Sequence, residues 1–413
     1  MQKEVIKMDF EVFEEYFFLL AIAVILLTTK VLGLVFKKFQ MPQVVGALLA
    51  GLILGPAVLG VLHETEFITM LSELGVVVLM FSAGVETDIT ELKRCGKSSF
   101  IIALIGVIVP LVGGFAVSHF MLTPESGDTD QTFLLKNIFI GVILTATSVS
   151  ITVETLREMG KLKTKAGSAI LGAAIIDDIL GIIALTAISS LADTSVNIWI
   201  VLVKILGFFG FCALCIIVCY KGLKFYMARF KGDLRRFVIL AFVICLVMAF
   251  CSEVFFGVAD ITGAYVAGLI ISMTTKKVYI ESRFSTLSYT LLSPIFFASI
   301  GLKVVLPDMG GSIILFAVVL TLVAILTKVI GCGLGAKLCG FKNKECLQIG
   351  VGMVSRGEVA LIVANKGASM GLMSQSLFGP IVIVVVVTTI IAPVLLKLAF
   401  SDRKNKKKEV INA

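Results

Sequence analysis

Two adjacent aspartates, Asp177 and Asp178, lie inside an apolar run from Gly167 to Leu185 that is long enough to cross a bilayer. A carboxylate at bilayer depth costs roughly 2.5–3.5 kcal/mol on insertion scales. Two in succession point to a wet cavity that receives something positive. Neighbouring helix positions are about 100° apart, so only one aspartate can line such a cavity while the other faces an adjacent helix. Lys328, in the middle of the apolar run Leu322–Gly335, is the natural counter-charge for one of them, and spacing does not say which. The bland reading is a stabilising ion pair, but a single aspartate would suffice for that.

Two further segments break an apolar pattern. Thr145, Thr147, Ser148, Ser150 and Thr152 crowd one stretch, and Gly350, Gly352, Ser355, Arg356, Gly357 and Glu358 crowd another. Unwound backbone at membrane depth survives only where protein or water satisfies it. Two such breaks, seven spans apart, are the signature of a transporter built from inverted repeats, with half-helix ends aimed at a central site. The competing reading is that the hydroxyls bond back to their own helices and the glycines pack against neighbours. Arg356 and Glu358 are two residues apart and share no helix face. Across a break they can pair, so a clasp on the broken helix is a better expectation than direct ion contact.

This set makes an exchanger. A desolvated carboxylate is discharged by a proton or by a small cation, so the two compete for one seat. No phosphate-cradling loop, nucleophile–base set or metal-ligand spacing is legible, which argues against an enzyme, a bound cofactor and ATP-driven pumping. The nine cysteines, including Cys212, Cys215 and Cys219, lie mostly in apolar runs and read as inert buried thiols.

The elements that must position these residues follow from composition. The chain has 413 residues, 58% hydrophobic and only 15% charged, against about 25% charged in soluble domains. The expected fold is an all-α polytopic membrane protein with thirteen spans of about 20 residues. They run near 14–36, 42–62, 69–86, 97–121, 133–153, 166–190, 196–219, 235–254, 258–273, 286–302, 312–335, 346–365 and 376–399. An external segment 1–13 precedes this membrane domain of 14–399, and a basic tail 400–413 follows it. The N-terminus shows no cleavable signal peptide, and no loop is long enough for a soluble domain. Alternate loops hold most of the 36 basic residues, among them Lys37, Arg94, Arg157, Lys163, Lys231, Arg283, Lys344 and the tail Arg403–Lys408. The positive-inside rule then places the C-terminus in the cytoplasm and the N-terminus outside the plasma (inner) membrane. The loop Thr123–Thr132, which is acidic, falls outside. The net charge of +8 thus belongs to loops and not to a nucleic-acid surface.

Several segments together carry a family resemblance: Pro42–Pro56, Glu73–Glu86, Thr145–Val149, Asp177-Asp178, Gly263–Leu269, Pro294–Leu302 and Ser355–Val359. Over about residues 14–399 the chain resembles the monovalent cation:proton antiporters, specifically the cation/proton antiporter-2 branch of bacterial Na+/H+ exchangers and Kef-type K+ systems. The resemblance implies two crossed, broken helices, those holding Thr147 and Ser355. It implies a homodimer with a scaffold and a mobile core that includes the helices near 133–153, 166–190, 312–335 and 346–365, moving like an elevator. It makes Asp178 the seat of Na+ or proton with Thr147 beside it, and Asp177 the partner of Lys328. Thr145, Ser148, Ser355, Arg356 and Glu358 would form the crossing. Relatives with Asn before the essential Asp tend to be electroneutral, and Kef-type relatives tend to have Gln in place of the first Asp. The Asp-Asp pair therefore implies electrogenic Na+(Li+)/H+ exchange, with K+/H+ exchange as the alternative. An ion channel or a membrane sensor is the reading from another class, and neither repeated pore loops nor a continuous path supports it.

Overall fold

Each long apolar run forms a helix, because only helical backbone satisfies its own polar groups in hydrocarbon. A computed structural model describes residues 2–39, 41–124, 129–192, 198–229, 234–304 and 310–401. Its helices are α1 (Gln2–Lys38), α2 (Gln43–Leu54), α3 (Glu66–Glu86), α4 (Ile89–Met121), α5 (Asp130–Thr145), α6 (Val149–Glu158), α7 (Lys165–Ala192) and α8 (Ile198–Arg229). They continue with α9 (Leu234–Phe256), α10 (Asp260–Ser272), α11 (Lys277–Leu287), α12 (Ser293–Leu302), α13 (Gly311–Leu338), α14 (Asn343–Gly352), α15 (Glu358–Ser369) and α16 (Phe378–Phe400). A π-helical turn, Ser288–Leu292, joins α11 to α12. The protein is an all-helical, multi-pass membrane protein.

Ten helical stretches are long and apolar enough to cross a membrane, counting α5–α6 and α11–α12 as one each. The other three expected spans fall on the short helices α2 and α10 and on the interrupted pair α14–α15. The second span was expected to reach residue 62, but α2 stops at Leu54. Pro56 disfavours helical backbone at Gly55, which is extended (ψ −179°). The amides of Leu59, Gly60 and Leu62 then turn back onto the carbonyls of Ile53, Gly55 and Leu54. At the start, α1 runs on from Gln2, so residues 2–13 are helical and continuous with the first span. Arg157, read as a loop charge, sits on α6. The basic tail beyond residue 401, Lys231 and most of the acidic stretch at 125–128 lie outside the described residues.

Packing divides the helices into two bundles. One comprises α1–α3 and α8–α12, the other α4–α7 and α13–α16. The principal contacts between them are α6 against α2 and α3, α16 against α2, and α7 against α8. Glycines set the closest crossings, and they occur in matched pairs. In the first bundle a Cβ on Gly51 of α2 would meet Ala298 O of α12 at 1.9 Å, and one on Gly268 of α10 would meet Phe81 O of α3 at 2.2 Å. In the second bundle, Gly141 lets α5 lean on Leu111 of α4, and Gly350 lets α14 lean on Val329 of α13. Each interrupted span is thus seated on one long helix in the same way, the pattern an internal repeat produces.

Candidate functional site

The hydroxyl-rich stretch ends α5 at Thr145 and restarts as α6 at Val149, leaving Ala146, Thr147 and Ser148 non-helical. The glycine-rich stretch ends α14 at Gly352 and restarts as α15 at Glu358, leaving Met353–Gly357 non-helical. These two breaks bond to each other. Ser148 N–H donates to Ser355 O at 2.7 Å, and Ser355 Oγ donates to Ser148 O at 2.9 Å. Thr152 Oγ1 donates to Gly352 O at 2.8 Å and lies 2.8 Å from Ser355 Oγ. Ser148 N–H and the carbonyls of Ser148, Gly352 and Ser355 are thus satisfied across the crossing. Gly357 permits the approach, since a Cβ there would meet Ser148 Oγ at 2.8 Å. The Thr145 hydroxyl donates back to Val142 O, as the bland reading of that stretch expects.

Arg356 is 0% exposed. Its guanidinium donates to Ala146 O, just past the end of α5, and to Ala324 O of α13 at 3.2 Å. A cation at a helix C-terminus offsets the partial negative charge of the exposed carbonyls. The Arg356 carbonyl in turn accepts from Thr389 Oγ1 of α16. The side chain of Glu358 lies outside the described residues, so its pairing with Arg356 is not placed.

One turn beyond Ala324, Lys328 is also 0% exposed. Its ammonium donates to both oxygens of Asp177, at 2.9 and 3.1 Å. Asp177 is 2% exposed. Asp178, the next residue, is half-buried and points to another side of α7. Helix α7 packs against α5, α6 and α14, three of the four half-helices that flank the two breaks. Thr147 is buried, and its hydroxyl has no hydrogen-bond partner among the described residues. The assembled charges are two carboxylates, Asp177 and Asp178, and two fixed cations, Lys328 and Arg356. Carboxylate and hydroxyl oxygens are the donor type that hard cations prefer.

Sequence reasoning missed Thr389 and undervalued Thr152. Thr388-Thr389 interrupts the aliphatic run of α16, and a hydroxyl pair in such a run is the signal that was available. All nine cysteines are free thiols.

The family model described as sodium/hydrogen exchanger, transmembrane, matches residues 22–401. The Na(+)/H(+)-K(+) antiporter GerN of Bacillus cereus is 43% identical over 398 residues, covering 95% of this chain and 99% of that protein. A Na(+)/H(+) antiporter of Enterococcus hirae is 36% identical over 380 residues, covering 91% and 96%. Among solved structures, the sodium proton antiporter MjNhaP1 of Methanocaldococcus jannaschii at pH 8 shares the fold, with a TM-score of 0.64 at 18% identity, covering 91% and 95%.

Proposed function

The chain belongs to the sodium/hydrogen exchanger family, and on that premise we propose that it is a secondary Na+/H+ antiporter of the bacterial paired-aspartate type. The observation that carries this reading is the division of the aspartates. Asp177 is held by Lys328, and Asp178, on another side of α7, is in this reading the carboxylate that Na+, Li+ or a proton discharges. The buried Thr147 hydroxyl supplies a further oxygen for the cation. The crossing held by Ser148, Ser355 and Arg356 keeps the half-helix ends aimed at this seat.

Charge bookkeeping bears on stoichiometry. Na+ and a proton on Asp178 leave the same net charge, so exchange at Asp178 alone moves none. The resemblance to the paired-aspartate exchangers implies a second proton in each cycle besides the one on Asp178. Two protons then exchange for one Na+. The charge moved gains about 2.3 kcal/mol per 100 mV.

In this reading the bundle of α4–α7 and α13–α16 is the mobile core, and the other is the scaffold of a homodimer in the plasma membrane. The basic loops support a cytoplasmic C-terminus and an external N-terminus. The test is Na+ or Li+ addition to energised everted vesicles: the parent protein dissipates the pH gradient and Asp178→Asn does not. Robust exchange by Asp178→Asn would remove the proposal. A second reading, in which K+ also serves as a coupling ion, is favoured by the name of the 43% identical relative. Ion titration with Na+, Li+ and K+ separates the two.

A further inference from the structure

The last turn of α6 carries charged side chains that the exchange chemistry does not use. Glu158 reaches out of its bundle to the start of α2, where Gln43 N–H and Val44 N–H donate to its carboxylate at 2.6 and 3.1 Å. The first amides of a helix have no intrahelical partner, and a carboxylate there is further favoured by the helix dipole. One residue earlier, Arg157 lies 2.9 Å from Glu86 at the end of α3 and donates to Leu79 O of α3 at 3.4 Å. Glu154 steadies Arg157 from within α6 at 3.2 Å. So a single helical turn grips two helices of the opposite bundle by directional polar contacts, where the bundles otherwise meet thinly.

The cavities bear on which arrangement this grip holds. Cavities of about 480 and 260 Å³ open at this end of the seam and are lined from both bundles, sharing Gln43, Glu154, Glu158 and Tyr289. A cavity of about 290 Å³ at the opposite end is lined within α4, α5, α13, the residues just after α4 and the segment before α16. At the α6 end, cavities thus open between the bundles beside the closed grip.

We propose that Glu158 and Arg157 form a two-point latch between the bundles, positioning the exchanger in the state open at the α6 end, and that the latch must release in each transport cycle. This rests on the reading that the two bundles move past one another to exchange ions. The latch residues touch no ion; they act by setting how much of the protein presents Asp178 to each side. The apparent affinity on one side scales inversely with the fraction open to that side.

The experiment uses the full-length protein with Glu158→Gln and, independently, Glu86→Gln on the other bundle. Amide hydrogen exchange over residues 43–48 reads the contact itself. Glu158→Gln is expected to speed exchange at Gln43 and Val44 about tenfold. Side-specific exchange in oriented proteoliposomes reads the consequence. Both variants are expected to raise the KM for Na+ at the α6-end side about tenfold and to lower it on the opposite side. A shift in the same direction on both sides marks a merely structural role and overturns the latch. Unchanged amide exchange in Glu158→Gln overturns it as well. No exchange in the parent protein would instead sink the antiport reading, with the amide measurement still deciding the contact.

Discussion

The most informative perturbation is the pair Asp177–Lys328, both ends of which are buried. Removing one partner leaves an uncompensated charge in a low-dielectric interior, which costs about 3–5 kcal/mol, whereas replacing both by neutral groups is far milder. Asp177→Asn strands the Lys328 ammonium, and Lys328→Gln strands the Asp177 carboxylate with Arg356 as the other fixed cation of the site. The expected cycle is therefore strongly non-additive: each single variant loses about 3–5 kcal/mol, and the double variant sits close to the parent. Globular proteins unfold with about 2.1 cal/mol/K per residue, roughly 0.9 kcal/mol/K for a chain of this length, so each single variant should lose about 3–6 °C in Tm. Thermal-shift measurements on purified protein in one detergent test this. A double variant whose loss equals the sum of the two singles would refute the reasoning, because the pair would then contribute no coupling.

Lys328→Gln should retain exchange but lose its dependence on membrane potential; a charge per cycle corresponds to roughly 50-fold in the limiting Na+ ratio per 100 mV, and proteoliposomes clamped with valinomycin would show whether that factor disappears. Gly51→Val should lower stability by more than about 2 kcal/mol, since the added carbons meet the backbone of α12; Gly96→Ala, in an open helical position, should gain about 0.5–1 kcal/mol, and the two Tm values side by side check the claim. Asp88 caps α4 through the amides of Thr90 and Glu91, which hold its carboxyl below the usual range. Its contribution is thus present above the unfolded pKa and lost as pH falls through the folded one, so the Tm deficit of Asp88→Ala at neutral pH should shrink in acid.

The charged positions in apolar runs were legible because their cost in hydrocarbon leaves few explanations: Asp177, Asp178, Lys328 and Arg356 all stand out without a structure. The breaks were legible too, since hydroxyl and glycine clusters cannot be explained as lipid-facing surface. Which aspartate meets Lys328 was not legible from spacing, because adjacent positions point apart but carry no address. The partner of Arg356 was not legible either. It bonds the carbonyls of Ala146 and Ala324, and backbone acceptors leave no trace in a sequence. Arg157 read as a loop charge because its partner Glu86 lies on another helix, and only packing brings the two together.

The central claim is that Na+ and a proton share Asp178. It is tested most directly by the apparent KM for Na+ in proteoliposomes as the pH at the binding side is lowered. Competition at Asp178 predicts that KM rises by at least tenfold per pH unit on the acid side, and toward a hundredfold where both protons of the cycle leave as Na+ binds, while the maximal rate is unchanged, and that Asp178→Asn binds no Na+ at any pH. A KM independent of pH, or pH-dependent Na+ exchange that survives in Asp178→Asn, would contradict the account.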